Sequence, residues 1–167
     1  MKFLRPLEPD DLVALNLWRS NRELRDATHG FRYPVSLEID KSWYQENVVN
    51  APTKKAIFAV QNYEGTFVGL GQLDAIDPIH RHAMLGIYIG EPAERGRGVG
   101  KPATMELIEY GFRDLNLRKL FLHVNRSNLS ATKLYESLGF TIEGELREHY
   151  FHDGDWDDIL VMSLFRK

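Results

Sequence analysis

One stretch of the chain combines residue types that bind anions. Residues 95–101 read RGRGVGK, with three glycines and three cations. Glycine lets the backbone turn tightly and bring its N–H groups close to a ligand, and the positive end of a helix dipole favours anions. An alternating apolar run precedes this stretch, and a helical pattern follows it with Pro102 in its first turn, where the missing N–H costs nothing. The spacing predicts a strand, a tight loop and a helix N-terminus that together cradle an anion.

Three kinds of glycine loop compete for this stretch, and spacing separates them. The phosphate loop of nucleoside triphosphatases needs a hydroxyl directly after its Gly-Lys pair. Here Lys101 is followed by Pro102, so no side chain is placed to hold magnesium. A dinucleotide fingerprint starting at Gly98 survives only because Ala103 is permitted at its third glycine position. The pattern Arg/Gln-x-x-Gly-x-Gly/Ala fits residues 95–100 at every fixed position.

A second pattern lies downstream of the loop. Asn128, Ala131, Tyr135, Gly139 and Phe140 fit the spacing Asn-x-x-Ala-x-x-x-Tyr-x-x-x-Gly-Phe. With both patterns present, the chain resembles the GNAT superfamily of acetyl-CoA-dependent N-acetyltransferases, in which the first loop wraps the coenzyme pyrophosphate.

The resemblance covers nearly the whole chain. It is closest to the branch that holds the ribosomal-protein N-terminal acetyltransferases and the bacterial spermidine N-acetyltransferases. Residues 76–81 (IDPIHR) and 143–146 (EGEL), the latter followed by an aromatic hairpin, resemble the spermidine enzymes in particular.

The resemblance also implies how the site is built. Loop N–H groups would bind the pyrophosphate, and the strand edge ending at Ile89 would pair with the pantetheine arm and polarise the thioester carbonyl. Tyr135 would face the coenzyme sulfur as general acid, because a phenol with a pKa of about 10 is protonated at neutral pH. Asn128 would hydrogen-bond the coenzyme, with a helix cap as an equal alternative. The expected coenzyme contacts are Ile87, Tyr88, Ile89, Arg95, Gly96, Arg97, Gly98, Val99, Gly100, Lys101, Asn128, Ala131, Leu134 and Tyr135.

No spacing in the sequence selects the general base. An alkylammonium acceptor has a pKa of about 10.4 and must lose a proton before it attacks. His80 and His82 are spaced for a two-histidine metal contact, but no further ligand stands out beside them, so no metal site is expected. The candidates for the base are Asp74, Asp77, His82, Glu94 and His123.

Acidic residues are the main hint about the acceptor amine, although a solvated turn explains them as well. The spermidine enzymes carry acidic residues between their first two helices, whereas residues 20–26 here are mixed in charge. The acceptor therefore stays open between a polyamine, a protein N-terminal amine and an amino sugar. A non-catalytic sensor of acyl-CoA is the alternative outside the enzymes. The acidic residues in question are Glu38, Asp40, Glu143, Glu145, Asp153, Asp155, Asp157 and Asp158.

The elements that must position these residues follow from periodicity and turn signals. The expected order is a strand, helices, three strands, a helix, a strand, a helix and two strands, with hairpin turns at residues 62–65 and at Asp153-Gly154. This order predicts an α/β domain of the α+β type, spanning residues 1–167, with a mixed, mostly antiparallel sheet flanked by helices. The resemblance adds splayed central strands that hold acetyl-CoA, and an aromatic segment, residues 27–34, over the substrate entrance.

Composition excludes several classes of function. The 167 residues include no cysteine, so a disulfide framework, a zinc–thiolate site and a thiol nucleophile are all excluded. A net charge of −3 argues against a nucleic-acid-binding surface, and no apolar run approaches the roughly 20 residues of a membrane span. We expect a cytoplasmic protein whose partner is a small-molecule amine or a peptide N-terminus. The exposed terminal strand and the family habit are compatible with a homodimer.

Overall fold

Seven strands form one continuous sheet in the order β1-β2-β3-β4-β5-β7-β6. The computed structural model describes residues 2–28, 32–50, 53–152 and 154–167. The predicted turn residue Asp153 and part of the predicted aromatic segment, residues 29–31, lie outside this described part. The strands are β1 (Leu4–Pro6), β2 (Ala56–Gln61), β3 (Phe67–Asp77), β4 (His82–Ile89), β5 (Lys119–Asn125), β6 (Thr141–His152) and β7 (Asp155–Phe165).

Within the described residues, five α-helices flank the sheet. Short turns of 3-10 helix precede α1 and follow β4, and single π-helical turns extend α3 to Val49 and α4 to Asp114. In the described residues no helix has the length and apolar character needed to span a bilayer. The helices are α1 (Leu12–Arg19), α2 (Arg22–Ala27), α3 (Leu37–Tyr44), α4 (Gly100–Glu109) and α5 (Leu129–Ser137).

The helices cover the sheet on both faces, and each face has its own apolar cluster. Successive strand residues point to opposite faces. In β2, Ala59 packs into a cluster with α1, and the next residue, Val60, packs into a cluster with α4 and α5. Leu15 in α1 and Leu107 in α4 are both fully buried, one in each cluster. The predicted architecture of a mixed sheet between two helical layers is confirmed.

The only parallel pairing between described strands joins β4 to β5, and it is short. It runs from His82 opposite Lys119 to Met84 opposite Phe121. The next five residues of β4, numbers 85–89, pair with β3 on one side and have no strand partner on the other. The two central strands therefore separate toward their carboxyl ends, as the sequence resemblance implied, and the opening exposes one edge of β4.

Several predicted boundaries differ from the observed ones. The sequence pattern predicts a strand that ends at Leu73, whereas β3 continues to Asp77, because a bulge with Ala75 at φ 48° lets the strand bend and pair again with β4. The pattern predicts a helix from Pro102, whereas α4 begins two residues earlier, at Gly100. The sequence offers Asn128 or Ser130 as cap of the last helix, and α5 begins at Leu129 because Asn128 caps it. None of these differences changes the order of the elements.

Candidate active site

A cleft of about 1530 Å³ lies where β4 and β5 separate. Its walls include the unpaired part of β4, the end of β5, the glycine loop and the first turns of α5. The structure thus brings together two sequence patterns that are about 30 positions apart. Every predicted coenzyme contact except Arg97 lines the cleft: Ile87, Tyr88, Ile89, Arg95, Gly96, Gly98, Val99, Gly100, Lys101, Asn128, Ala131, Leu134 and Tyr135.

The glycine loop reaches the cleft through left-handed backbone at two positions. Gly96 has φ 73° and Gly98 has φ 84°, a region that a residue with a side chain enters only at a cost. Val99 is buried in the core directly after these turns and anchors the loop, and α4 begins at Gly100. The first N–H groups of a helix have no partner within the helix, and they carry its positive dipole end. The strand, the tight loop and the helix start that the spacing predicts are therefore present and line the cleft, and their binding of an anion stays a prediction.

The two arginines of the loop differ in what they contact. Nε of Arg95 donates to the carbonyl of Ile89 at 3.2 Å, and its guanidinium also lies 3.4 Å from the Glu23 carboxylate. Arg97 points to Glu94, with its Nη1 3.4 Å from Oε1, and is not among the residues lining the cleft. The backbone N–H of Arg97 also donates to the Glu94 carbonyl, at 3.4 Å, so the position of Arg97 does not support the predicted contact with the coenzyme.

The exposed edge of β4 offers backbone groups to a ligand. The N–H of Gly90 donates to the carbonyl of Val68 at 2.8 Å, which makes Ile89 and Gly69 a non-hydrogen-bonded pair of the antiparallel ladder. Because the direction of the backbone groups alternates along a strand, those of Ile87 and Ile89 point away from β3 and into the opening, while those of Tyr88 belong to the ladder. The contact from Arg95 to the Ile89 carbonyl fits this geometry.

Tyr135 lies on α5 and lines the cleft. The residue is 7% exposed, and its ring packs edge-on against Phe140 at 5.7 Å. Burial raises the pKa of the Tyr135 phenol to about 12, so the hydroxyl stays protonated throughout the neutral range. A protonated phenol at the wall of a cleft is chemically able to donate a proton to a leaving thiolate.

Asn128 has the helix-cap role that was the alternative to a coenzyme contact. Its Oδ1 accepts hydrogen bonds from the backbone N–H of Ala131 at 3.1 Å and from the Ser130 hydroxyl at 2.9 Å. The residue also lines the cleft. The two roles are compatible, because the cap uses the side-chain oxygen and leaves the amide nitrogen for a ligand.

The rest of the cleft, outside the segments described above, lies against a buried ion pair. Asp40 of α3 is fully buried, and it accepts from Nη1 of Arg19 at 2.5 Å and from Nδ2 of Asn16 at 2.7 Å. The Arg19 guanidinium also lies over the Trp43 ring, 4.6 Å from its centroid. Burial, opposed by the nearby Arg19 and reinforced by Asp40, raises the pKa of Tyr88 well above its ordinary value. Asp40, one of the acidic residues considered above for binding the acceptor amine, is therefore paired with Arg19 and has a structural role at the wall of the cleft.

The structure separates the five candidates for the general base. Asp74, Glu94 and His123 line the cleft, whereas Asp77 and His82 do not. Asp74 accepts from Nε2 of Gln72 at 2.5 Å and lies 3.4 Å from the ammonium of Lys55. Asp77 ends β3 and His82 begins β4, at the end of the sheet where β4 and β5 still pair, so the positions of these two candidates do not support a role as base in this cleft.

Sequence reasoning missed several residues in this part of the cleft. Lys55 immediately precedes β2, Gln72 lies on β3, and His152 lies at the end of β6. They share no motif and no short spacing, so only the sheet register brings them to one place. The cleft residues that were not predicted include Trp18, Arg22, Arg25, Asp26, Trp43, Lys55, Gln72 and His152.

Comparisons with known proteins give the chain a family. The model of the acetyltransferase (GNAT) domain matches residues 3–141. A spermidine N(1)-acetyltransferase of Escherichia coli K12 is 31% identical over 163 residues, which is 98% of this chain and 85% of that protein.

Solved structures share the fold over almost the full chain. A crystal structure of the spermidine N-acetyltransferase from Vibrio cholerae, in complex with CoA and spermine, superposes with a TM-score of 0.90 at 31% identity. It covers 97% of this chain and 94% of the other. A dodecameric structure of the Vibrio cholerae enzyme superposes with a TM-score of 0.83 at the same identity, and covers 97% of this chain and 92% of the other.

Proposed function

The chain belongs to the GNAT acetyltransferases, which use acetyl-CoA, and we propose that its acceptor is a polyamine such as spermidine or spermine. The reaction is a direct attack of the amine on the thioester while both substrates are bound. The coenzyme would lie along the exposed edge of β4, with its pyrophosphate at residues 95–101.

The residues around the cleft supply the steps of this reaction. The neutral amine nitrogen attacks the thioester carbonyl carbon, and the N–H of Ile87 or Ile89 stabilises the developing oxyanion. Removing one donor of this kind typically raises the activation barrier by about 3 to 4 kcal/mol. The C–S bond then breaks, and the coenzyme thiolate takes its proton from Tyr135. The proton of the amine leaves to a base, for which Asp74, Glu94 and His123 are the candidates.

One observation supports an alkylammonium acceptor more than any other. Asp74 lines the cleft and has an alkylammonium beside it, that of Lys55, at 3.4 Å. The Lys55 side chain is 36% exposed and that of Asp74 is 16% exposed, so the carboxylate is largely fixed while the lysine can swing away. A substrate ammonium can then take the same place on Asp74. The relatives that act on spermidine make the polyamine the favoured source of this group.

An acceptor panel tests the proposal. Thiol release from acetyl-CoA should be measured with spermidine, spermine, short peptides of different first residue, and amino sugars. We expect turnover with the polyamines. In Asp74→Asn, the polyamine KM should rise about tenfold to a hundredfold, because a hydrogen bond to a charged group contributes about 1.5 to 3 kcal/mol.

Coenzyme affinity serves as the internal control for this panel, since Asp74 belongs to the other half of the cleft. Calorimetric titration with CoA should give the same Kd for Asp74→Asn and for the unchanged chain. Turnover with peptides or amino sugars and none with polyamines would contradict the proposal. So would an unchanged polyamine KM in Asp74→Asn.

We also propose an assembly larger than the homodimer expected from the sequence. The dodecameric relative supports it, and light scattering of the purified chain measures it.

A further inference from the structure

The turn between β3 and β4 brings together three side chains that can bind a metal. Asp77 ends β3, His82 begins β4, and His80 lies in the turn between them. One ligand atom from each of the three lies within 4.8 Å of the other two. In the sequence the two histidines are separated by one residue, but the sequence does not show that Asp77 folds back to meet them. This third ligand is what the sequence interpretation lacked.

We propose that Asp77, His80 and His82 form a binding site for a divalent transition-metal ion. Two imidazoles and one carboxylate are a common ligand set for such ions, and the absence of cysteine leaves nitrogen and oxygen donors only. Bond lengths of about 2.0 to 2.2 Å bring ligand atoms roughly 3 to 4 Å apart, so closure around an ion needs side-chain shifts of about 1 Å.

The backbone of the turn holds the carboxylate in place. Oδ1 of Asp77 accepts from the N–H groups of Ile79 at 2.9 Å and of His80 at 2.8 Å. Oδ2 faces Nδ1 of His80 at 2.9 Å. One oxygen thus fixes the side chain and the other is directed at the first histidine.

The second histidine is not committed to another role in the described residues. Nδ1 of His82 is buried and has no hydrogen-bond partner there. Its ring stacks beside that of His80, with centroids 6.1 Å apart and an angle of 23° between the planes. A buried ring nitrogen without a hydrogen bond is an unfavourable arrangement, and bonding of this nitrogen to an ion would compensate for it.

The neighbouring cations are directed elsewhere. Arg81 lies between the two histidines in sequence, with a left-handed φ of 59°, and its guanidinium donates twice to Asn116, at 2.9 Å each. The ammonium of Lys119 donates to Glu143 at 2.6 Å. Neither charge is aimed at the three ligands, so neither opposes a bound ion at close range.

The position of the site suggests a structural role. His82 is the first residue of β4 that pairs with β5, and Asp77 is its partner on β3. An ion bound here would stabilise the β3–β4 turn, at the end of the sheet where β4 and β5 are still paired. Asp77 and His82 do not line the cleft, so the ion would not take part in acetyl transfer.

Titration of the untagged chain with zinc tests the site. We expect saturable binding of one Zn²⁺ per chain by calorimetry, and the visible absorption of a coordinated ion when Co²⁺ replaces zinc. His80→Ala should weaken Zn²⁺ binding at least tenfold, because His80 is largely exposed and its removal leaves the fold intact. Asp77→Asn should weaken it similarly, since the amide keeps the size of the side chain and loses its charge.

A histidine elsewhere on the surface provides the matched control. His149 is exposed on β6 and belongs to no such cluster, so His149→Ala should bind Zn²⁺ as the unchanged chain does. The absence of saturable binding would overturn the proposal. Equal affinity in His80→Ala and the unchanged chain would also overturn it, as would a loss in His149→Ala as large as that in His80→Ala.

Discussion

The two halves of the cleft are built in different ways. The proposed coenzyme half consists of contiguous segments, the end of β4 with the loop that follows it and the start of α5, and it would bind its ligand largely through backbone groups. The proposed acceptor half consists of single side chains from α1, α2, α3, β3, β5 and β6. Backbone N–H groups serve any anion of the right shape, whereas side chains can change with the substrate. The comparison suggests that one half defines the family and the other defines the acceptor.

The electrostatics of the two halves differ as well. The coenzyme half presents a helix N-terminus and the cation Lys101. The acceptor half contains charges of both signs that are already paired, such as Arg19 with Asp40 and Lys55 with Asp74. A charged substrate that binds in this half must therefore displace one partner of an existing ion pair. It does not simply neutralise an electric field of one sign. Changes in one half should therefore leave the other half's affinity unchanged, and three variants test this separation.

The largest effect on activity is expected from a change of Tyr135, the proposed general acid. Tyr135→Phe removes the phenolic proton and keeps the ring packed on Phe140, so we expect kcat to fall by about 10² to 10⁴. The Kd for CoA and the acceptor KM should change little. Stopped-flow or steady-state thiol release, together with calorimetry of CoA binding, measures both quantities.

The pH dependence of the unchanged chain sharpens this prediction. Burial raises the pKa of Tyr135 from about 10 in the unfolded chain to about 12 in the folded protein, so stability linked to this group is fully present below pH 10 and is lost as the pH rises toward 12. The rate should therefore show no loss from this acid below about pH 10. As a control, Tyr63→Phe, at an exposed hairpin turn, should keep full activity, and equal activity in Tyr135→Phe would remove the proposed acid.

A smaller effect is expected in the coenzyme half. Gly98 has φ 84°, and a Cβ there would meet no atom within 4 Å, so Gly98→Ala introduces backbone strain without a clash. A left-handed residue with a side chain costs about 1 to 2 kcal/mol, so CoA affinity should fall about tenfold if the loop shifts to relieve the strain.

Gly144 provides the control for this variant, because it has an equally open surrounding and no left-handed φ. Gly144→Ala should leave CoA affinity unchanged. A large rise in the polyamine KM of Gly98→Ala, measured at saturating acetyl-CoA, would contradict the prediction that the two halves bind their ligands independently.

The smallest effect is expected at the resident cation of the acceptor half. Lys55→Met removes the ammonium that competes for Asp74, so the polyamine KM should fall by about 1.4-fold to fivefold, the range of a partly exposed ion pair of about 0.2 to 1 kcal/mol. Lys54→Met removes the same charge from an exposed neighbouring position and should leave KM unchanged. Equal changes in both variants would mean that only the overall charge matters and not the contact with Asp74.

Local sequence determined the coenzyme half almost completely. Residues 95–101 contain the turn-forming glycines and the helix start, and Asn128 and Tyr135 are fixed relative to each other by α5. Such features depend on neighbours within a few positions, so spacing predicts the turns and the helix starts, whereas their assignment to a coenzyme came from the resemblance to the family. Even the exception, Arg97, follows from a contact with Glu94, three positions away.

Only the tertiary structure decided the acceptor half and the metal ligands. Asp74 and Lys55 meet because β2 and β3 pair in one register, and a bulge at Ala75 bends β3 so that Asp77 reaches His80 and His82. Asp77 and His82 are unsuited as bases for the cleft because the sheet pairs the end of β3 with the start of β4, remote from the opening. Sequence patterns record local backbone geometry, whereas strand register and bulges follow from the balance of packing over the whole sheet, and no short stretch of the chain contains that balance.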